Sequence, residues 1–383
     1  MKRLRDLCNF KNGLWTGSKL PLLKMRVLRN TDFTLDGYLT FENVAEIEVE
    51  ESQYLERRVE PNDILLEKSG GSPSQAIGRV AFYTGNSNEF SFGNFIARIR
   101  PVDTKQLLPK YLWACLNDFY QQGGTVSLQG GMRILNLDFE GYKNIKIPLP
   151  PKSVQEQIIE EITDIEQKDK TGQAKLIELK NQLTHLFSDL NYPSEKLGNL
   201  AEFKNGLNYN EDSTGDLVTV VGVKDFLENF SPNLDNLEDV RIDGKLKESY
   251  KLQPEDILVV RSNGSANLVG RFIYIDKVLK DLSYSGFTIR IRTNSEKVNP
   301  KYLCYCLRTE SVRNAITKDP QGANIKSVNQ TMLSSIKIPL PDINEQLTIM
   351  NRAEELERQI SAIKRELDNV NNEKELVLRK HLE

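Results

Sequence analysis

The six residues Ile-Lys-Ile-Pro-Leu-Pro occur twice in this chain, at residues 145–150 and again at residues 336–341. Each copy is followed within a few residues by a Glu-Gln pair and a long run of mixed polar and apolar residues. Five more blocks recur in the same order, with an offset that drifts only from 193 to 191 residues. Such ordered recurrence is typical of an internal repeat, so the 383 residues are predicted to contain two copies of one domain, each followed by an appended segment. The recurring blocks are Phe-Lys-Asn-Gly-Leu (10–14 and 203–207), Pro-x-Asp-Ile-Leu (61–65 and 254–258), Gly-Arg (78–79 and 270–271), Arg-Ile-Arg (98–100 and 290–292) and Pro-Lys-Tyr-Leu (109–112 and 300–303).

Each copy is predicted to be an α+β domain of roughly 150 residues. The Asp-Ile-Leu blocks indicate a strand that runs into a polar Gly/Ser loop, and the Gly-Arg blocks open a returning strand. The Arg-Ile-Arg blocks alternate apolar and basic residues, which is typical of a strand with one buried face. Pro109 and Pro300 stand where a first helical turn begins, and the proline-rich blocks predict a short strand with an extended exit.

The appended segments are predicted to be long helices. Ser153 and Asp342 each precede Gln-Glu or Asn-Glu at capping-box spacing, so we expect them to cap the two helices. The apolar residues that follow keep a 4,3 spacing, which predicts heptads and a mutual antiparallel coiled coil. The alternative is that each helix folds back on its own domain. Asp169 and Gly172 occupy seam positions in the first helix and predict a kink or a polar contact there. The apolar seam positions are Ile158, Ile162, Ile165, Leu176, Leu179, Leu183 and Leu186 in the first segment, and Ile349, Ala353, Leu356, Ile360, Ile363, Leu367, Val370 and Val377 in the second, where Lys374 also lies in the seam.

The domain boundaries predicted from these patterns are 1–150, 151–193, 194–341 and 342–383. The two repeats carry net charges of +2 and +1, whereas each helical segment carries −3. Phosphate binding, if present, therefore belongs to the repeats. No apolar run reaches the roughly 18 residues of a membrane span, and the charged N-terminus does not resemble a signal peptide. Four cysteines without a CxxC pair, and only two histidines, argue against a metal site and fit buried thiols in a cytoplasmic protein.

The sequence offers little support for catalysis. Asp63, Glu67 and Lys68 come near to a nuclease pattern, but the residue between Glu and Lys is missing and the second repeat has Val260 and Arg261 instead. The motif of an amino-methyltransferase and a phosphate-binding Walker loop are both absent from the sequence. Both histidines fall on the predicted helices, so histidine-based acid/base chemistry is not expected. We therefore predict a binding protein without catalytic residues of its own.

The whole order of repeat, proline block with Glu-Gln, and long helix, written twice, resembles the specificity subunit of a Type I restriction-modification system. The resemblance rests on "IPLPPKSVQEQI" and "IPLPDINEQL", together with Asp-Ile-Leu followed by Gly-Arg in each copy. It implies two target recognition domains separated by two long helices that form an antiparallel coiled coil. Each domain would read one half of a split, asymmetric DNA target, and the coiled coil would set the gap between the halves.

The resemblance also implies the partners. They are double-stranded DNA, two modification (methyltransferase) subunits and the restriction (endonuclease and translocase) subunits, and no membrane. S-adenosylmethionine, ATP and Mg would be cofactors of those partner subunits, with none in this chain. The alternative is the recognition subunit of a related system whose single partner chain both cleaves and methylates. An unrecognised nuclease or methyltransferase, or a purely structural coiled-coil scaffold, is the rival from another class.

The repeat itself separates general contacts from reading contacts. Arginines shared by both copies, at 79 and 271, 98 and 290, and 100 and 292, should serve the scaffold or phosphates, either as structural ion pairs or as DNA contacts. Polar loops that differ, 69–75 against 262–267 and 129–136 against 321–329, should read bases, since Arg suits guanine and Asn or Gln suits adenine. The predicted DNA-binding residues are Lys68, Ser69, Gln75, Arg79, Gln129, Arg133, Arg261, Asn263, Asn267, Arg271, Gln321, Asn324 and Lys326.

Overall fold

A computed structural model describes residues 1–15, 17–70, 75–131, 134–226, 230–265, 267–278, 281–317 and 327–382. The chain divides into two compact units. The first unit consists of Met1–Gly172 and Glu366–Glu383, and the second unit is Gln173–Arg365. Each unit therefore contains one repeat together with parts of both helical segments.

The elements that the two repeats share follow one another in the same order. The first repeat contains β1 (Lys2–Arg3), α1 (Leu4–Leu7), β2 (Cys8–Asn12), β3 (Leu22–Leu28), β4 (Ala45–Glu50), α2 (Glu51–Arg57), β5 (Ile64–Glu67), β6 (Ser69–Gly70), β7 (Val80–Phe82), β8 (Phe90–Phe92), β9 (Ile96–Pro101), α3 (Pro109–Gln121), β10 (Gln129–Gly130), β11 (Leu135–Leu137), α4 (Phe139–Lys143) and β12 (Lys146–Ile147). After α5 (Lys152–Ser188), the second repeat contains β13 (Ser194–Lys196), β14 (Ala201–Asn205), β15 (Leu217–Val221), β16 (Glu238–Arg241), β17 (Ile257–Val260), β18 (Phe272–Tyr274), β19 (Ser283–Tyr284), β20 (Thr288–Thr293), α6 (Pro300–Leu307), α7 (Glu310–Thr317), α8 (Gln330–Ser334) and β21 (Lys337–Pro339). The chain then continues into α9 (Ile343–Asp368) and α10 (Val370–Leu382).

Both repeats are built on the same sheets. A four-stranded antiparallel sheet has the order β2-β9-β5-β7 in the first repeat and β14-β20-β17-β18 in the second. A three-stranded mixed sheet has the order β4-β3-β8 in the first and β16-β15-β19 in the second. The strand register is also the same, since Ile64 faces Ile99 and Ile257 faces Ile291. The internal repeat and the α+β fold predicted from the sequence are confirmed.

Two glycine blocks recur because the backbone requires them. A Cβ atom on Gly13 would lie 2.0 Å from the carbonyl oxygen of Gly93, and one on Gly206 would lie 2.1 Å from that of Ser285. Any side chain there would force the strands apart. The glycines of the Gly-Arg blocks have positive φ angles of 100° in the first repeat and 74° in the second, a region that side-chain-bearing residues rarely adopt.

The proline block and its Glu-Gln pair form a joint between repeat and helix. In the first unit, the buried side chain of Gln155 accepts a hydrogen bond from the backbone N–H of Leu108 at 2.9 Å and donates to the carbonyls of Gln106 (2.8 Å) and Pro150 (3.0 Å). Tyr111 donates its hydroxyl to the carbonyl of Pro148 at 3.0 Å. The helix is thereby attached to the α3 side of its repeat.

The second unit repeats this joint. Gln346 is fully buried, accepts from the N–H of Asn299 at 2.8 Å, and donates to the carbonyls of Lys297 and Pro341, both at 2.8 Å. Tyr302 donates to the carbonyl of Pro339 at 2.8 Å. A glutamine amide satisfies one donor and two acceptors at once, which explains why the block and the glutamine recur together in the sequence.

The helical segments pair within each unit. In the first unit α10 runs antiparallel to α5, because Glu161 contacts Lys380 and His381 while Glu166, further along α5, contacts Lys374, which lies earlier in α10. In the second unit the end of α5 shares its core with α9. The predicted seam residues that are buried are Ile158, Ile162, Ile165, Leu176, Leu179, Ile349, Ala353, Leu356, Ile360 and Val377.

Two details of the helices differ from the sequence prediction. Ser153 does not cap α5: the N–H groups of Val154 and Gln155 donate to the carbonyl of Pro151, so the helix begins before Ser153. Asp342 does cap α9, and its carboxylate accepts from the N–H of Glu345 at 3.1 Å. The polar seam positions of α5 do not end the helix, which runs unbroken over 37 residues, whereas the second segment is interrupted between α9 and α10.

Candidate nucleic-acid interface

One set of the shared arginines forms ion pairs with buried carboxylates. Asp63, at the start of β5, receives two hydrogen bonds from Arg100 at 2.6 and 2.8 Å. Asp256 receives two from Arg292, both at 2.7 Å. Both carboxylates are 1% exposed. Of the two roles that the sequence left open for Arg100 and Arg292, the structure supports the structural ion pair.

Arg79 is also engaged in the first unit. Its guanidinium bonds both carboxylate oxygens of Glu67 at 3.0 Å and donates to the carbonyl of Asn30 at 3.0 Å. In the second unit, Val260 replaces this glutamate, and Arg271 donates to the carbonyls of Asn267 (3.1 Å) and Phe226 (3.2 Å). These arginines therefore stabilise the protein segments from which the polar loops begin. Their contact with DNA stays a prediction.

In the first unit, the two predicted reading loops meet in one small sheet. Strands β6, β11 and β10 pair in the order β10-β11-β6. The hydroxyl of Ser69 donates to the side-chain oxygen of Asn136 at 2.6 Å, and the side-chain oxygen of Gln129 accepts from the N–H of Ile77 at 3.3 Å. The sequence predicted polar loops here, and the structure shows that the loops support one another. Gln75 is half-buried beside them.

Lys68 leads into this sheet and carries positive charge to it. Its ammonium group donates to the side-chain oxygen of Asn12 at 2.7 Å and lies 5.4 Å from the ring centre of Phe139. Lys143 lies over the same ring at 4.3 Å. Burial lowers the pKa of Lys68, and the neighbouring charge of Lys143 lowers it further. Because the two like charges lie near one ring, a bound anion such as phosphate would stabilise the charged forms of both lysines.

The second unit brings the corresponding segments together with less regular structure. The N–H of Val328 donates to the carbonyl of Arg261 at 2.7 Å, just as Leu137 donates to Lys68 at 2.8 Å in the first unit. Ser262 and Ser327 form an isolated antiparallel bridge. Asn263 accepts from the N–H of Gly264 at 2.8 Å and borders an open cleft of about 500 Å³. Asn267 is exposed at the far side of the loop.

Four predicted contact residues cannot be placed. Arg133, Gln321, Asn324 and Lys326 lie outside the described residues, so their contacts with DNA stay predictions. Two asparagines of the recurring Phe-Lys-Asn-Gly-Leu blocks also lie at these loops, although they are not among the predicted contact residues. Asn12 bonds Lys68, and Asn205 accepts from Gln330 at 3.1 Å. The signal in the sequence is the recurrence of Phe-Lys-Asn-Gly-Leu itself.

The described part of the chain also bears on metal, thiol and membrane chemistry. It contains no group of three or more His, Cys, Asp or Glu side chains placed to hold a metal ion. All four cysteines are free and buried, as predicted. Within the same described ranges, no helix is both long and apolar enough to span a bilayer.

Comparison with known proteins identifies the repeat. The profile of the family described as "Type I restriction modification DNA specificity domain" matches residues 1–181 and again residues 192–372. The chain is 28% identical over 376 residues to the type I restriction enzyme StySPI specificity subunit of Salmonella potsdam, covering 91% of this chain and 78% of that protein. It is 24% identical over 419 residues to the putative type I restriction enzyme MjaX specificity subunit of Methanocaldococcus jannaschii, covering 99% and 91%.

Solved structures share the fold. A chain from a structural study of complex assembly and conformational transition of the type I R-M system aligns with a TM-score of 0.65 at 15% identity, over 99% of this chain and 96% of its own. The S subunit of the type I restriction-modification system from M. genitalium aligns with a TM-score of 0.50 at 15% identity, over 100% and 95%. Because the family profile matches both repeats and most of their helical segments, the chain belongs to the type I restriction-modification DNA specificity family and carries two of its domains in tandem.

Proposed function

We propose that this chain is the non-catalytic recognition subunit of a type I restriction-modification complex, in which each repeat reads one half of a split DNA target. The observation that carries the proposal is the contrast between scaffold and loop. The Asp–Arg pairs and the buried glutamines recur in both units with nearly the same distances, whereas the polar loops above them differ in sequence and structure.

Different loops on the same scaffold support two different half-sites. Lys68 and Ser69 lead into a three-stranded sheet, whereas Arg261 and Ser262 are held by a single bridge. Hydrogen bonds from such side chains to base edges specify sequence, while contacts with phosphates only position the protein. Two unlike readers in one chain would make the target asymmetric.

The helical segments are proposed to fix the gap between the half-sites and to dock two modification subunits. Their support is the joint described above, in which each helix is attached to its repeat by a buried glutamine, and the unbroken length of α5. A rigid spacer turns half-site separation into a geometric property of the protein. S-adenosylmethionine, ATP and Mg would then act in the modification and restriction subunits, in the cytoplasm where chromosomal DNA is available.

The absence of catalysis is supported by the state of the carboxylates that resembled a nuclease site. Asp63 and Glu67 are each bonded twice by an arginine. A metal-dependent nuclease needs such oxygens for its cation. The purified chain, incubated with DNA, Mg, ATP and S-adenosylmethionine, is expected neither to cut nor to methylate, and either activity would contradict a pure recognition role.

The reading function is tested by selection from random DNA. The complex with its modification subunits should enrich one split motif with two specific halves and a fixed gap. Gln75→Ala should relax the sequence preference of one half only, and Asn263→Ala that of the other. Enrichment without any sequence preference would favour a structural scaffold, and a change in both halves from either single substitution would contradict independent readers.

The identity of the partner needs a separate experiment. Proteins that copurify with this chain from its native cell would be identified by mass spectrometry. Separate modification and restriction subunits are expected. A single copurifying chain that both cleaves and methylates would establish the alternative system.

A further inference from the structure

Two phenylalanine rings project into solvent at equivalent positions of the two repeats. Phe95 is 51% exposed and Phe287 is 62% exposed, and they are separated by 192 residues, the offset of the neighbouring repeat blocks. Single exposed apolar side chains are common on soluble proteins and need no explanation. Among the large exposed apolar residues that the structure describes, however, this pair recurs at the same place in both repeats.

The backbone of each phenylalanine is fixed beside the loop that is expected to read DNA. The carbonyl of Phe95 accepts from the N–H of Lys68 at 2.7 Å, and the carbonyl of Phe287 accepts from the N–H of Arg261 at 2.8 Å. Each phenylalanine lies within a tight turn, which is closed by a hydrogen bond from the N–H of Ile96 to the carbonyl of Gly93 at 3.0 Å in the first unit and from the N–H of Thr288 to the carbonyl of Ser285 at 2.9 Å in the second. The backbone of each phenylalanine is thus hydrogen-bonded to the cationic residue that begins a reading loop.

The surroundings of each ring suit a polyanion with apolar edges. In the second unit, the ring of Phe287 lines the cleft of about 500 Å³ together with Tyr209, Ser262 and Asn263. In the first unit, the neighbouring Lys68 belongs to the two-lysine cluster around Phe139. Duplex DNA presents both kinds of surface side by side, since phosphates alternate with deoxyribose rings and base edges.

We propose that Phe95 and Phe287 are DNA-contact residues, one at each half-site, whose rings pack on deoxyribose and base edges while Lys68 and Arg261 contact adjacent phosphates. Because the same ring occurs in both repeats, the contact is tolerant of sequence and contributes affinity without discriminating bases. The inference rests on the proposed function, since it assigns further residues to the same DNA-binding surface.

The test uses the complex of this chain with its modification subunits and measures the Kd for the selected target by fluorescence anisotropy. Burying the exposed part of one ring corresponds to about four- to twentyfold in affinity, so Phe95→Ala and Phe287→Ala should each weaken binding by about that factor. Phe287→Tyr should keep affinity within about threefold, because the ring remains. Val102→Ala and Leu217→Ala are matched controls, since the side chains are similarly exposed at 65% and 61%. Val102 follows the end of β9 opposite Phe95, and Leu217 opens β15 and is not among the residues that line the cleft, so both substitutions should leave affinity unchanged.

Two readouts separate a DNA contact from a structural role. The unfolding temperature of the phenylalanine variants should stay within about 2 °C of wild type, because rings that are half exposed contribute little to the core. The slope of log K against log salt should not change for Phe→Ala, whereas Lys68→Ala and Arg261→Ala should each reduce it by about 1.

The outcomes distinguish this inference from the proposed function. If wild type selects a split motif but both phenylalanine variants bind within twofold of wild type, the ring contact is wrong and the reading function stands. If wild type binds DNA without sequence preference and the variants bind more weakly, the contact stands and the reading function fails. Absence of DNA binding by the wild-type complex would overturn both.

Discussion

The two units attach their helices to their repeats with different chemistry around a shared glutamine joint. In the first unit the contact is polar. Glu166 of α5 accepts from the hydroxyl of Tyr38 at 2.8 Å and from the ammonium groups of Lys110 at 2.9 Å and Lys374 at 3.1 Å. Lys374 belongs to α10 and also lies 5.6 Å from the ring centre of Trp113. One carboxylate therefore connects α5, α10 and the repeat.

In the second unit the corresponding contact is aromatic. Phe187, near the end of α5, stacks on Tyr305 of α6 with ring centres 4.7 Å apart and planes within 5°. Tyr305 stacks in turn on Phe230 at 4.3 Å. Phe187 is 5% exposed, so this contact belongs to the hydrophobic core of its unit.

The difference shows that two copies of one scaffold can keep the same glutamine joint and still differ in the side chains that pack each helix against its repeat. At an offset of 191 residues, Lys374 corresponds to Leu183 and Leu378 to Phe187. If Lys374 packed at the second junction, its buried charge would lose its carboxylate partner, which would cost several kcal/mol. The aromatic stack at that junction contains no carboxylate. The difference in side-chain chemistry therefore disfavours packing of α10 at the second junction or of the end of α5 at the first.

The largest effect is expected for Phe187→Ala. Removing a buried phenylalanine costs about 3–5 kcal/mol, and the loss should be confined to the second unit. Both tryptophans, Trp15 and Trp113, lie in the first unit. Urea unfolding followed by tryptophan fluorescence should hardly change, whereas hydrogen exchange should accelerate in α6 and the end of α5. An equal shift of the tryptophan transition would mean that the two junctions are not independent.

A second prediction tests what the units share. Asp63→Ala and Asp256→Ala should each destabilise their own unit by about 3 kcal/mol, because each leaves an arginine and a backbone N–H without a buried acceptor. Hydrogen exchange of β5 and β17 measures the two losses in the same experiment. Unequal losses, differing by more than about 1.5 kcal/mol, would show that the common scaffold is common in geometry only.

Glu166→Gln tests the polar junction alone. Lys110 and Lys374 would lose their shared counter-charge, so the first unit should lose about 2 kcal/mol, measured by tryptophan fluorescence. Glu161→Gln is the matched control on the same helix. Glu161 also bonds two side chains, those of Lys380 and His381, but its carboxylate is 36% exposed against 17% for Glu166, and the expected loss is below about 1 kcal/mol. Equal losses would remove the special role of Glu166.

The smallest expected effect is a pH dependence restricted to the first junction. Burial opposes ionisation of Glu166, but Lys374, Lys110 and Tyr38 together hold its pKa below the ordinary glutamate value. Its ionisation therefore stabilises the folded state above that ordinary range, and this stabilisation is lost as the pH falls through the lower folded pKa. The difference in unfolding free energy between wild type and Glu166→Gln should shrink below about pH 4.5. A difference that stays constant down to pH 3 would contradict this assignment.

The fold was predictable wherever the geometry of the backbone requires the same residue type in both repeats. Gly13 and Gly206, the Asp–Arg pairs and the glutamines recur because one geometry demands them, and the heptads predicted the helical seams. The start of α5 was missed, because Pro151 supplies the first carbonyl and makes a cap by Ser153 unnecessary. The interruption between α9 and α10 was also missed, since the apolar spacing continues across it.

The candidate interface was less predictable, because it depends on contacts between distant segments. Ser69 and Gln129 were both chosen as polar loop residues, but only the pairing of β6, β11 and β10 shows that they belong to one surface. Arg79 is predicted, as an arginine that both repeats share, to serve either the scaffold or DNA phosphates, and Glu67 engages its guanidinium. A pattern reports which side chains could bind DNA, whereas their availability depends on neighbours that are remote in sequence.

The central claim is that two unlike readers on one scaffold define one target. Its most direct test is to map methylated adenines across the native genome with and without this gene. Deletion of the gene should remove methylation at a single split motif, with two different specific halves separated by a fixed nonspecific gap, and the restored gene should return it. Loss of a continuous or palindromic motif, or no loss although the modification subunit is expressed, would contradict the claim.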